Sequence, residues 1–181
     1  MGEALRCSPQ ISHLALALYE TGITDRGGKP LVAALAKAGI TDLDLRLFET
    51  GVSDETGLAL ADSLRICTKM NTLHLGFGDT AITDTTVTAL GHSLSSCGSL
   101  EKVTLGFYNT KLTDAGGKKL VSGLGQLPLQ DLDLRIRDTQ VADESGVALG
   151  QSLRSLSGLA KLHLELGNTK MGDPSGSALG E

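Results

Sequence analysis

The chain has 181 residues, 40% of them apolar, with no Trp, two Tyr and three Phe, and a formal net charge of −5. Core bulk must therefore come from Leu, Ile, Val and Ala, which suits many similar, narrow layers better than one aromatic-filled interior. The 16 Lys and Arg form no basic run, which argues against a nucleic-acid footprint or an anionic membrane surface, and no apolar stretch reaches the roughly 18 residues of a spanning helix.

Residues 1–10 (MGEALRCSPQ) lack the apolar run of a signal peptide. Leu5 is followed six residues later by Ile11, as Leu64 is by Met70, so residues 1–10 are read as the end of a preceding repeat or an N-terminal edge. The first full unit alternates Leu14, Leu16 and Leu18, the period of a strand with one buried face. Thr21 then opens the pattern T-x-Φ-x-D (Φ apolar), here TGITD, ending on Asp25. Leu31 and Leu35, four apart, share one helical face, and Ile40 closes the layer before the next strand. The same order returns with Leu43/Leu45/Leu47, TGVSD and Leu60/Leu64, then with Leu73/Leu75/Phe77, TAITD and Leu90/Leu94. It continues through Val103/Leu105/Phe107, TKLTD and Leu120/Leu124, and Leu132/Leu134/Ile136, TQVAD and Leu149/Leu153. The last unit has Leu162/Leu164/Leu166, TKMGD and Leu179, and the chain stops at Glu181 before a second helical Leu.

The six motif threonines lie 29, 30, 30, 29 and 30 residues apart, so residues 11–181 read as six repeats of 29 or 30, the last incomplete. One such unit cannot offset its own chain entropy, and stacking on its neighbours must supply the rest. Repeat arrays normally end in polar caps, and neither end shows one. Two expectations follow: the chain belongs to a longer protein, or both ends dock on partners.

Each motif Asp (Asp25, Asp54, Asp84, Asp114, Asp143, Asp173) is placed to cap the helix that it begins. A glycine three residues on (Gly28, Gly57, Gly117, Gly146, Gly176) is expected to let that helix approach the strand layer. Val87 breaks this pattern, which predicts a helix set further out. Cys7, Cys67 and Cys97 have no CxxC spacing. Cys67 and Cys97 occupy a slot filled elsewhere by Ala38, Leu127 and Leu156, so they read as buried free thiols. With no N-x-[ST] sequon, the expected setting is intracellular, cytoplasmic by default.

The line L-x-x-L-x-L…T-x-Φ-x-D-x-x-G-x-x-L-x-x-x-L resembles the ribonuclease-inhibitor-like class of leucine-rich repeats, from about Ile11 to the end. The resemblance implies an α/β leucine-rich-repeat solenoid: a right-handed horseshoe with parallel strands on its concave face and helices on its convex face. It also implies a family that acts mostly by recognising proteins. The chain departs from the class in carrying Thr where Asn or Cys is usual. The Thr hydroxyl is expected to donate to a neighbouring carbonyl and continue a ladder. Four residues, where the class has two, separate the second strand Leu from that Thr, which predicts a longer strand or a bulged strand exit.

Residues alternating with the buried strand positions form outward columns. The first runs Ala15, Asp44, His74, Thr104, Asp133, His163, and the second Ala17, Arg46, Gly76, Gly106, Arg135, Glu165. The third runs Tyr19, Phe48, Gly78, Tyr108, Arg137, Gly167. Gly76, Gly78 and Gly106 are expected to leave a shallow floor between Phe48 and Tyr108. Aromatics beside arginines dominate protein interfaces. The candidate partner-binding residues are therefore Tyr19, Asp44, Arg46, Phe48, His74, Tyr108, Asp133, Arg135 and Arg137, suited to a protein with acidic groups near an apolar anchor. The bland alternative is that the aromatics merely cover neighbouring strands and the charges form exposed ion pairs such as Arg46 with Asp44 and Arg135 with Glu165. A fourth column (Glu20, Glu49, Asp79, Asn109, Asp138, Asn168) reads as loop hydrogen-bonding groups rather than calcium ligands, one acceptor per repeat being no cage.

His13, His74, His92 and His163 are isolated, and HExxH, GxSxG and phosphate-loop spacings are absent. No catalysis, cofactor or metal site is expected. The leading expectation is a non-catalytic module that binds a protein through its strand face. The alternatives are a scaffold subunit of a larger assembly, held by its ends and helices, and a regulator of a small GTPase.

Overall fold

The computed structural model describes residues 10–36 and 39–181; Leu5, Cys7 and Ala38 lie outside them, as does the helix end read into residues 1–9. Six strands alternate with six helices: β1 (His13–Ala17), α1 (Asp25–Leu35), β2 (Asp42–Arg46), α2 (Asp54–Leu64), β3 (Thr72–Gly76), α3 (Asp84–Leu94), β4 (Lys102–Gly106), α4 (Asp114–Leu124), β5 (Asp131–Arg135), α5 (Asp143–Ser155), β6 (Lys161–Glu165) and α6 (Asp173–Gly180). The strands form one open, wholly parallel sheet in chain order. Parallel strands sit about 4.8 Å apart and packed helices roughly 8–10 Å apart, so a stack joined through both must bend with the sheet inside.

Leu45, Leu75, Leu105 and Leu134 are register partners and form one buried row, as the alternation requires. The third inward positions stack in the same way. Phe77 and Phe107 lie with ring centroids 6.1 Å apart and planes 2° apart, fully buried. The outer edge of β6 has no strand beside it among the described residues, and Leu162 is 46% exposed there.

The strands are no longer than five residues; the extra pair before each Thr forms the exit turn instead. Glu20, Glu49, Asp79, Asn109, Asp138 and Asn168 all adopt φ between 50 and 58°. This left-handed region suits Asn and Asp and costs other residues roughly 1–2 kcal/mol. Each motif Thr closes that turn by donating to the carbonyl three residues back, from Thr21 to Leu18 (2.6 Å) through Thr169 to Leu166 (2.8 Å). The donation to a nearby carbonyl is as expected, but the bond lies within one repeat and continues no ladder to the next. A second row of parallel bridges, from Thr24↔Gly51 to Ala142↔Lys170, links the repeats just before the helices.

The aspartates do cap helices, but Asp25, Asp54, Asp84, Asp114 and Asp143 each cap the helix of the following repeat. Asp25 accepts from the Ser53 amide (2.9 Å) and hydroxyl (2.5 Å) and from the Thr56 amide (3.1 Å) and hydroxyl (2.6 Å). Asp54 takes the same four bonds from Thr83 and Thr86. Asp84 receives only the Thr113 amide and hydroxyl, because Gly116 stands where the second hydroxyl would be. Asp114 accepts from the Ala142 and Ser145 amides, and Asp143 from the Gly172 amide and from the Ser175 amide and hydroxyl. Within each helix the residue before the Asp is the N-cap; Ser53, Thr83 and Thr113 accept from the amide two residues on. At the starts of α2, α3 and α4 the donors are thus met by two repeats acting together.

The glycine three residues after the Asp faces this ladder rather than the strand layer at Gly28, Gly57, Gly117 and Gly146, while Gly176 meets nothing. A Cβ on Gly28 would stand 2.5 Å from the Thr56 hydroxyl, and one on Gly57, Gly117 or Gly146 would overlap Thr86, Ser145 or Ser175. Val87 is fully buried, and the helix that carries it is not displaced: α3 and α4 are the most extensively packed helix pair. By repeat equivalence the residue opposite Val87 is Gly116; α3 and α4 also meet closely at Gly91 and Gly123, where a Cβ would stand 2.5 Å from the Lys119 carbonyl and 2.2 Å from the Gly91 carbonyl.

Cys67 and Cys97 are buried free thiols, their Sγ atoms 3.2 Å from the Ser63 carbonyl and 3.5 Å from the Leu64 carbonyl. Burial pushes both thiols up, Cys97 to about 11. The thiolate is the reactive form. Iodoacetamide at pH 8 should therefore alkylate neither in the folded chain and both in denaturant, as peptide mass mapping would read; labelling of folded Cys97 would contradict the packing.

Candidate partner-binding face

The strand register sets the outward columns as the alternation gives them. Ala15, Asp44, His74, Thr104, Asp133 and His163 are partners in sequence along the sheet, as are Ala17, Arg46, Gly76, Gly106, Arg135 and Glu165. A further outward column at the strand starts, His13, Asp42, Thr72, Lys102, Asp131 and Lys161, escaped the sequence reading. Its signal was present, since these residues continue the same alternation. It carries a contact of His13 Nε2 with Asp42 at 3.1 Å and an ion pair of Lys161 with Asp131 at 3.8 Å.

The string DLDLR occurs twice, in β2 and β5, and builds the same device each time. Asp44 accepts from Arg46 Nε (2.9 Å) and Nη2 (2.7 Å); Asp133 accepts from Arg135 Nε (2.9 Å) and Nη2 (2.8 Å). Residues two apart on a strand share a face, which lets each guanidinium fold back on its own carboxylate. The hydrogen bond to Arg135 holds Asp133 below the usual carboxylate range. Arg135 also lies 3.6 Å from Glu165, the pair read from the sequence, but its closer partner is Asp133. His74 sits between the two forks, half-buried, and burial lowers its pKa from 6.5.

Tyr19 and Phe48 stack with centroids 4.5 Å apart and planes 7° apart; Tyr19 is 40% exposed and Phe48 half-buried. The ring of Tyr108 leans across Gly78, where any side chain would overlap it. Arg137 lies over the opposite side of this row, its guanidinium carbon 4.7 Å from the Tyr108 centroid, a cation–π contact. The expected floor of three glycines is therefore two, because Tyr108 fills the third place. What remains is a depression of about 360 Å³ over Gly76 and Gly106, walled by Arg46, Phe48, His74, Thr104, Tyr108 and Arg135. The structure thus gathers six of the nine sequence-predicted site residues around one centre: Arg46, Phe48, His74, Tyr108 and Arg135 in the wall, with Arg137 against Tyr108. Asp44 and Asp133 bond the two arginines from beside His74 and Thr104, and Tyr19 stacks on Phe48 outside the wall.

Four residues of the fourth column pair from repeat to repeat, and a neighbouring arginine adds a bond within one repeat. Asn109 donates to Asp79, and Asn168 to Asp138 at 2.7 Å, while Arg137 Nη1 donates to Asp138 at 2.5 Å.

No family model matches the chain, and no curated protein matches it. Its fold is similar to an internalin from Listeria monocytogenes, with a TM-score of 0.54 and 20% identity, covering 89% of this chain. It is similar as well to leiomodin-1 actin-binding site 2, with a TM-score of 0.58 and 14% identity, covering 88% of this chain and 84% of that one. The chain spans 37% of the internalin's length. At these identities the likeness establishes a fold, and both neighbours are leucine-rich-repeat structures.

Proposed function

We propose that this leucine-rich-repeat solenoid is a non-catalytic interaction module that binds a protein partner through its strand face, around the depression over Gly76 and Gly106. The observation that carries the reading is the arrangement of that face: two carboxylate-pinned arginines and two aromatic rings around a recess with no side chain in its floor. Aromatic and Arg side chains at the rim of a pocket are the usual carriers of interface energy. Each guanidinium is already fixed by its aspartate, so little side-chain freedom remains to be lost on binding. Leiomodin-1, whose matched unit is named as an actin-binding site, supports the use of this fold for protein binding. The proposed setting is intracellular, where Cys67 and Cys97 stay reduced.

A second reading has one observation behind it. Leu58 and Ile66, on and just after α2, are 40% and 61% exposed, as a scaffold held through its helices would have them. The two readings separate in one experiment. Partners captured by the intact chain should bind at least about ten-fold more weakly after Phe48→Ala, Tyr108→Ala and Arg137→Ala together, and unchanged after Leu58→Ser with Ile66→Ser. The reverse pattern would transfer the function to the helices.

A further inference from the structure

Resting on the strand-face reading, we propose that the recess over Gly76 and Gly106 receives the carboxylate side chain of an acidic segment of the partner, with an apolar neighbour of that residue lying on the Tyr19–Phe48 stack.

The recess is not a by-product of packing. A Cβ on Gly76 would meet nothing closer than Phe48 Cδ1 at 3.4 Å, and one on Gly106 nothing closer than 3.8 Å. Gly57, Gly78 and Gly146, by contrast, have no room for one. A glycine inside a strand costs roughly 0.5–1 kcal/mol against alanine. At these two neighbouring positions the fold gets no steric return for it. Glycine in a strand interior often marks a place where another molecule comes close to the backbone.

The wall chemistry selects the occupant. Arg46 and Arg135 close two sides, and Thr104, His74 and Tyr108 add polar groups, while Asp44 and Asp133 are not part of the wall. Each arginine spends two of its five N–H groups on its own aspartate and keeps three. Arg46 and Arg135 line the recess while their aspartates do not, so the N–H groups left over there call for an acceptor, and a planar carboxylate matches the free edge of a guanidinium. The volume of about 360 Å³ takes one acidic side chain together with the backbone bearing it. Phe48 belongs both to the wall and to the stack with Tyr19, which places an apolar surface directly beside the anion.

The test uses the full chain labelled with 15N-glycine and a short peptide in which Glu alternates with Phe. The expected result is that the Gly76 and Gly106 amide resonances move on titration, while the Gln-for-Glu peptide leaves them in place. Arg46→Gln and Arg135→Gln should each weaken binding about ten-fold, and added salt should weaken it further. Gly106→Val should abolish binding with a melting temperature no lower than that of the parent chain, since a Cβ there meets nothing closer than 3.8 Å and valine suits a strand. Equal binding of the Gln peptide would overturn the proposal. So would binding of a phosphoserine peptide alone, which would reassign the recess to a phosphorylated partner. Unmoved glycine resonances, with partner capture still lost on the Phe48, Tyr108 and Arg137 substitutions, would remove the carboxylate site and leave the strand-face reading standing. Capture that depends on Leu58 and Ile66 instead would remove the strand-face reading itself.

Discussion

Replacing Asp54 with alanine should destabilise the chain by about 4 kcal/mol, since charge-assisted hydrogen bonds are each worth roughly 1.5–3 kcal/mol and buried donors left unpaired cost as much again. Four donors converge on this carboxylate: the amides and hydroxyls of Thr83 and Thr86, with Thr86 fully buried. Asp84→Ala should cost about half as much, because Asp84 holds only the Thr113 amide and hydroxyl. Urea unfolding of the two variants reads the difference directly; equal losses would mean that the bonds to Thr86 contribute nothing. The same ladder predicts acid sensitivity. Burial pushes the Asp25 and Asp54 carboxyls up, but the hydroxyls and amides around each outweigh it and hold both below 3.8; the Ser175 hydroxyl chiefly holds Asp143 below it too. A carboxyl with a lowered folded pKa binds its proton more readily in the unfolded chain. Its stabilising contribution is therefore complete above about pH 4 and is lost as pH falls through the folded pKa. A melting temperature that held steady from pH 5 to about pH 2 would show that these aspartates are not coupled to folding.

What the sequence displayed well was whatever recurs in every repeat. Six in-phase copies of T-x-Φ-x-D and of the alternating leucines fixed the strand, the helix and the buried face, because the period of two and the spacing of four each admit one geometry. What it hid was the direction of contacts between repeats. An Asp at the start of a helix has the same spacing to its own amides as, 29 or 30 residues later, to those of the neighbour, so the string cannot say which helix it caps. The clue lay in the companions: Ser53 with Thr56 and Thr83 with Thr86 supply hydroxyls one residue before and two after the next Asp, each following a glycine at 28 or 57. The left-handed exit turn was equally obscure at Glu20 and Glu49, although Asp or Asn stands at the other four equivalent positions. On the candidate site, alternation alone gave the columns. The lean of Tyr108 over Gly78 depends on a side-chain rotamer, which spacing does not encode, and that lean decides where the recess lies.

Interlocking of neighbouring helices makes the second prediction a reciprocal one. Gly57→Val should cost about 3 kcal/mol, although valine is the better helix former, because its side chain overlaps Thr86 and drives the hydroxyl off Asp54. Thr86→Gly alone should cost about 2 kcal/mol through the lost hydrogen bond and the added chain freedom. The pair together should also cost only about 2 kcal/mol, a coupling near the upper end of what contacting residues show. The reason is already built into the molecule one junction along. Val87 is fully buried where the other junctions have glycine, and it is followed by Gly116 where they have Thr56, Thr86, Ser145 or Ser175. Asp84 there keeps its bonds to Thr113, and α3 packs on α4 more extensively than any other helix on its neighbour. The double variant transplants that working junction to α2 and α3. Costs that simply added, measured by denaturant unfolding, would mean that Val87 and Gly116 do not compensate one another and that the close fit of α3 on α4 comes from somewhere else along the two helices.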